Sequence, residues 1–274
     1  MKHNFIPGEE WLYYKIYCGV ETTDTVLNNC IKPLVNSFFK KNIITKWFFI
    51  RYSDPENHLR VRFLLKDTRD LGLIITEIQK KLHFFIESKQ IWNIQIDSYK
   101  REIERYGLNS IEKAESYFFN DSTMVLNIIK EEKNDEVKFI KTVEYIKLII
   151  NLFEFSEKEL LHFLSFNKEK FRREFNADKN TNKFLSKLYR NLKFQSSKIE
   201  KKQEIKSQKE IVNWFLKLKS MNELEVSLES LLSSFIHMTF NRVFNSEQRM
   251  YEMVFYDFYF INFKSKILRN EVIQ

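Results

Sequence analysis

WFFIRYSDPENHLRVRF, Trp47 to Phe63, is the stretch that decides how the first third of this chain folds. Its flanks, Trp47–Tyr52 and Leu59–Leu65, are aromatic and β-branched and read as two strands. Ser53, Asp54, Pro55, Glu56 and Asn57 between them are turn chemistry, with proline supplying a fixed φ. Moving outward, Trp11–Cys18 (WLYYKIYC) is a third strand on the same grounds. Trp92–Tyr99 is a fourth, with Trp92, Ile94 and Ile96 alternating with Asn93, Gln95 and Asp97. Two segments between strands switch to helical spacing. Val26, Leu27, Ile31, Leu34, Val35, Phe38 and Phe39 make an apolar stripe over Asp24–Lys41, with Asp24 as a plausible N-cap. Leu71, Ile74, Ile75, Ile78, Leu82 and Phe85 do the same over Leu71–Glu87. Strand, helix, two strands, helix, strand is the split βαβ plan: a ferredoxin-like, four-stranded antiparallel sheet with two helices on one face. The first and third strands are expected at its centre.

The alternation within LRVRF places Leu59, Val61 and Phe63 towards the helices, so Arg60 and Arg62 share the other face. Unpaired charge inside a protein is costly. An anion binds there, carboxylates pair there, or the two arginines lie exposed on an open face. From Ser110 onward the spacing is helical throughout. Helices are expected over Ile111–Phe119, Ser122–Glu132, Glu136–Glu154, Ser156–Glu174, Thr181–Phe194, Lys206–Lys219, Leu224–Asn241 and Ser246–Leu268. The chain therefore reads as α+β, with a sheet subdomain over residues 1–108 and a helical one over 109–274. The helices are expected to pack on the open face of the sheet, which would put Arg60 and Arg62 at an interface between halves, where ligand sites tend to form.

Composition narrows the function. Among 274 residues, 43% are hydrophobic and 16% aromatic, too apolar for a disordered chain, and 4 Gly and 3 Pro exclude loop-dominated designs. Cys18 and Cys30 cannot build a disulfide framework. The most apolar run, Phe139 to Phe155, is interrupted by Lys141, Glu144, Lys147 and Glu154, and the first ten residues lack a secretory core. A cytoplasmic enzyme or binding protein is the expectation. The net charge of +8 would suit an anionic partner, but the densest basic stretch, Lys198–Lys209, mixes Lys with Glu and Gln as a solvated surface does. Nucleic acid is not expected as a direct ligand.

Nucleotide-binding, zinc-protease and serine-hydrolase signatures are absent. His3, His83 and His162 stand alone and read as surface or core positions. His58 opens the arginine strand, and His237 lies near the end of a predicted helix in Ile236–Arg242 (IHMTFNR). Glu102 and Arg105, spaced i, i+3, would share one face of a helical turn, as many ordinary surface ion pairs do.

Taken together, WLYYKIYCG, WFFIRYSDPENHLRVRF, YKREIERYG (Tyr99–Gly107), FFNDS (Phe118–Ser122) and IHMTFNR resemble the C-terminal elimination domain of lantibiotic dehydratases, also called the thiopeptide-type bacteriocin biosynthesis domain. The motifs occur in the family's order and span the chain from Trp11 to about Arg242. Two departures stand out: Leu108 where the family commonly has a second glycine, and Thr239 and Phe240 where it often carries a further histidine. The resemblance implies a lyase without organic cofactor or metal, acting after a transferase has placed glutamate on Ser or Thr of a precursor peptide. It implies that this chain is the stand-alone eliminating half of a split dehydratase, with a separate glutamyl-tRNA-dependent transferase as partner. A cyclase and a second copy of the chain are further candidate partners. Arg60, Arg62, Glu102, Arg105 and His237 match the family's functional positions. By that match the three arginines would bind carboxylate and developing oxyanion, His237 would transfer the proton, and Glu102 would bind the glutamyl ammonium or orient an arginine. Relatives that join two dehydroalanines into a pyridine ring, and a non-catalytic peptide-binding subunit, are the alternatives.

Overall fold

The computed structural model describes residues 2–178 and 202–273. The expected helix Thr181–Phe194 lies outside the described residues, as does the start of the Lys198–Lys209 stretch. In chain order, β1 (Asn4–Phe5), β2 (Trp11–Cys18), α1 (Val20–Val26), a π-helical turn (Leu27–Ile31) and α2 (Lys32–Lys40) come first. Then follow β3 (Ile44–Tyr52), β4 (His58–Leu65), α3 (Leu71–Glu87), β5 (Ile91–Asp97), β6 (Tyr99–Lys100) and α4 (Ile103–Tyr106). The helical half is α5 (Ile111–Glu131), α6 (Asp135–Leu152), α7 (Glu157–Glu174), α8 (Lys202–Ser220), α9 (Leu228–Val243) and α10 (Gln248–Ile273). The protein is α+β.

The main sheet is antiparallel in the order β3-β4-β2-β5, so the first and third of its strands along the chain are central. Leu59, Val61 and Phe63 are fully buried, and Phe63 meets Phe38 of α2 edge-on at 6.1 Å. Arg62 pairs in register with Tyr13 and Phe48, and Arg60 with Lys15 and Ile50. Both arginines therefore lie on the face turned away from α2, as the alternation requires.

Three expectations need correction. The strand Trp92–Tyr99 is divided: β5 ends at Asp97, and Tyr99–Lys100 turns over the open face to pair with β1. Tyr99 comes 5.3 Å from Trp11 and 6.1 Å from Phe48 there. The segment Ile111–Glu132 forms one helix, not two, because Asp121 and Ser122 bond to distant partners instead of capping a new helix. Finally, the helical half reaches the open face only at its margin, where Phe118 meets Phe48 at 5.4 Å. Its main seat is the free edge of β3. Phe49 donates its N–H to Ser122, and Arg51 and Asn241 exchange two backbone–amide bonds. Arg242 donates to the Phe49 carbonyl at 2.7 Å. An uncovered edge would leave strand donors and acceptors open to stray pairing, and helix side chains close it here. The apolar side chains of both halves form one continuous buried cluster.

Candidate active site

The arginine strand supplies two different environments. Arg62 is 7% exposed and sits among rings, its guanidinium carbon 4.3 Å from the centre of Tyr13, 4.9 Å from Tyr99 and 5.2 Å from Phe48. Its Nε has no hydrogen-bond partner. Burial lowers its pKa from the ordinary arginine value, and the nearby Glu102 carboxylate works in the opposite direction. Arg60 points to the more open end of the face. It stacks 3.4 Å over Tyr52 and donates from Nε to His58 Nε2 at 3.0 Å. The His58 ring stacks on Tyr17 at 4.7 Å, and its Nδ1 lies 2.7 Å from the Glu56 carbonyl. Accepting from Arg60 at Nε2 assigns the proton to Nδ1.

Glu102 holds the N-cap position at the start of the single turn α4, and Arg105 lies within it. Arg105 Nη1 is 3.5 Å from Glu102, and its Nε donates to Ser234 on α9 at 3.1 Å. Gly107 ends the turn at φ +79°, a conformation that favours glycine, and a Cβ there would come 3.4 Å from Glu225. The departure at Leu108 is harmless for the turn: its N–H donates to the Glu225 carboxylate.

His237, one turn beyond Ser234 on α9, is held from α10. Its Nδ1 is 2.9 Å from Glu252 Oε2, and Glu252 is 2% exposed. Arg249 donates to the same oxygen at 2.9 Å and to Glu174 of α7 at 3.1 Å. These contacts hold the Arg249 pKa above its ordinary value although burial opposes them. Arg105 and His237 line one cavity of about 490 Å³ together with Lys170, Phe171, Ser233, Ser234, Arg249 and Glu252. A second recess of about 530 Å³ shares Lys170, Ser233 and Ser234 and continues to His162 and the exposed Phe166. Of the five expected residues, Arg105 and His237 thus share a cavity. Glu102 joins them through Arg105 and, electrostatically, faces Arg62. Arg60 and Arg62 lie on the sheet and do not line that cavity.

Sequence reasoning missed Lys170, Ser234, Arg249 and Glu252. Each is one polar residue on a helix, indistinguishable by spacing from a solvated face. The only available signal was the i, i+3 pairing of Arg249 and Glu252. Conversely, several residues in the resembling motifs turn out to be framework. Asp121 of FFNDS pairs with Arg242 of IHMTFNR at 2.7 Å, both fully buried. Thr239, at one of the departures, donates to Asp121 at 2.8 Å. Arg51 of the hairpin binds Asp24 and Thr23. His83 pairs with Glu87 on the surface. Among the described residues no group of three or more His, Cys, Asp or Glu is placed to hold a metal, and no helix is long and apolar enough to cross a membrane.

Chemically, the cavity offers an imidazole next to guanidinium and ammonium groups, a combination suited to moving a proton while an anion forms. Comparison with known proteins shows the family. Residues 11–260 match the family described as lantibiotic biosynthesis dehydratase C-term. The nisin biosynthesis protein NisB of Lactococcus lactis subsp. lactis is 27% identical over 260 residues, covering 92% of this chain and 25% of NisB. This chain therefore spans about a quarter of that relative's length. In fold it is similar to the tRNA-dependent lantibiotic dehydratase MibB from Microbispora sp. 107891, with a TM-score of 0.62, 18% identity, and coverage of 91% of this chain and 28% of MibB. It is also similar to TbtD, a pyridine synthase from thiomuracin biosynthesis, with a TM-score of 0.58, 11% identity, and coverage of 91% of this chain and 97% of TbtD.

Proposed function

The chain belongs to the C-terminal family of lantibiotic biosynthesis dehydratases, and from that premise we propose that it eliminates glutamate from O-glutamyl Ser or Thr in a precursor peptide, leaving dehydroalanine or dehydrobutyrine. The observation that carries this reading is the cavity in which Arg105 and His237, from opposite halves of the chain, meet. The reaction needs a base for the Cα proton and cations for the enolate-like oxygen and the departing carboxylate. His237 is the base. Arg105, oriented by Glu102 and Ser234, and Lys170 receive negative charge. Arg62, held by rings with an unsatisfied buried Nε, presents a charge that no carboxylate among the described residues neutralises through a hydrogen bond. Arg60 extends that positive surface. Glutamyl transfer falls to another protein or domain, which is the partner this reading requires.

The test mixes purified protein with a precursor peptide carrying O-glutamyl Ser or Thr, without ATP or tRNA. Mass spectrometry is expected to follow loss of glutamate and appearance of dehydro residues. His237→Ala should slow turnover by about 10²–10⁴-fold, and Arg105→Ala by about 10²–10³-fold. Unchanged turnover in both variants would refute the assignment. The similarity to TbtD over nearly all of that chain favours one second reading, cycloaddition of two dehydroalanines. Inertness towards the ester combined with cyclisation of a peptide already bearing dehydroalanines would establish it instead.

A further inference from the structure

We propose that Glu252 is a positioning residue for His237, fixing the imidazole as its Nδ1–H tautomer so that Nε2 is left bare for the reacting proton. The proposal rests on the reading of His237 as the proton-transfer group and adds the residue that prepares it. Glu252 is all but fully buried, and its Oε2 lies 2.9 Å from both His237 Nδ1 and Arg249 Nη1. A carboxylate only accepts, so the contact with Nδ1 requires the proton to be on that nitrogen. The other tautomer would set the Nδ1 lone pair against a carboxylate oxygen. Arg249 Nη1, a donor, also approaches Nδ1, but at 3.4 Å against 2.9 Å for the carboxylate, so the shorter contact with Glu252 sets the tautomer.

The carboxylate is itself held in place. Arg249 is gripped by Glu174 from α7 and stacks 4.3 Å over Phe171, so α7, α9 and α10 each contribute to the alignment of one ring. Among the described residues, the charged groups lining the cavity with His237 are Arg105 from α4, Lys170 from α7, and Arg249 and Glu252 from α10. Glu252 is the only acid among them. During elimination Nε2 takes the Cα proton, and the C–H electron pair becomes the new C=C bond. The Cβ–O bond breaks, and its electrons leave on the glutamate carboxylate. The resulting imidazolium then lies among three cations, where the fixed negative charge of Glu252 offsets their repulsion. His237 then returns the proton to water. A carboxylate behind a histidine does this work in other enzymes, where its replacement by the amide costs about 10⁴-fold in turnover.

The experiment uses the full chain labelled with ¹⁵N-histidine, with long-range ¹H–¹⁵N correlations assigned by comparison with His237→Gln and read at mildly alkaline pH. The expected wild-type signal has protonated Nδ1 and bare Nε2. Glu252→Gln should mix the tautomers, because an amide can donate as well as accept. It should lower kcat on the O-glutamyl peptide by about 10²-fold or more while leaving KM within about 2-fold. Glu174→Gln, at a partly exposed position, tests the outer support without opening the core, and should lower kcat by a few-fold only. A wild-type Nε2–H tautomer overturns the proposal whether or not Glu252→Gln folds. So does a Glu252→Gln protein whose tautomer and kcat match the wild type. A correct wild-type tautomer in a protein inert to the ester would uphold the positioning role and remove the elimination reading, so the two failures are distinguishable.

Discussion

Arg242 and Arg62 are both buried arginines drawn from the motifs that identify the family, and the protein treats them in opposite ways. Arg242 donates to the Asp121 carboxylate and to the Phe49 carbonyl, and it ties α5, α9 and the β3 edge into one joint. Arg62 is surrounded by Tyr13, Phe48 and Tyr99, and its Nε bonds to nothing. Aromatic faces compensate part of the cost of burying its charge, on the order of 1–2 kcal/mol per well-placed, desolvated ring, but leave its buried Nε unpartnered. Arg242 likewise keeps an unpartnered Nη2, and what separates the two is the Asp121 carboxylate. A buried charge whose partners lie within the chain is joinery. One held by rings, with no carboxylate partner among the described residues, carries a charge that those residues do not themselves neutralise.

The largest effect should come from breaking the joint. Arg242→Ala leaves Asp121 in the core with Thr239 as a donor but without its cation, where burial already raises its pKa against the pull of Arg242. A loss of about 3–5 kcal/mol is expected, seen as a fall in Tm on the order of 10 °C. A melt within about 2 °C of wild type would show that the pair is not structural. Arg62→Met should separate stability from activity. Removing a charge that has no carboxylate partner and filling its place with an apolar chain should leave stability within about 1 kcal/mol of wild type. Turnover of the glutamylated peptide should still fall by about 10²-fold, the scale of losing one preorganised donor. A large drop in Tm with normal turnover per folded molecule would reverse the comparison and make Arg62 the structural arginine.

Much of this contrast was invisible in the sequence, for identifiable reasons. Alternation around Arg60 and Arg62 placed both on the correct face, because a buried β4 leaves only one register for Leu59, Val61 and Phe63. Period alone could not tell that Arg62 would be roofed by Tyr99, since β1 and β6 are two residues each and too short to show any period. Asn120, Asp121 and Ser122 looked like a helix boundary because such residues compete for backbone bonds locally. Here Asp121 and Ser122 bond to Arg242 and to β3 instead, and the helix runs through. The same tertiary demand moved the helical half onto the β3 edge. Arg105 and His237 were noted from their local sequence, and the resemblance supplied their roles. Glu252 was not, because a carboxylate that orients a catalytic ring carries no spacing signature relative to that ring.

The smallest expected effect concerns Arg60, whose partner is a titratable ring where Arg242 has the Asp121 carboxylate. Burial lowers the His58 pKa below the ordinary histidine value, and the positive charges of Arg60 and Lys15 add to that against the Glu56 carbonyl and Asp54. In the unfolded chain His58 returns to about 6.5. As pH falls, the unfolded state therefore binds a proton before the folded state does, and folding loses stability. The contribution of neutral His58 is complete above the unfolded pKa and declines as pH drops through 6.5 towards the lower folded value. Protonation also removes the Nε2 acceptor that Arg60 uses, which frees Arg60 while leaving the Arg242 joint intact. Urea midpoints measured from pH 7.5 to 5.5 should decline gently in the wild type and more weakly in His58→Gln, which keeps an acceptor but cannot titrate. Identical slopes in the two proteins would assign the decline to another histidine and leave Arg60 as firmly held as Arg242.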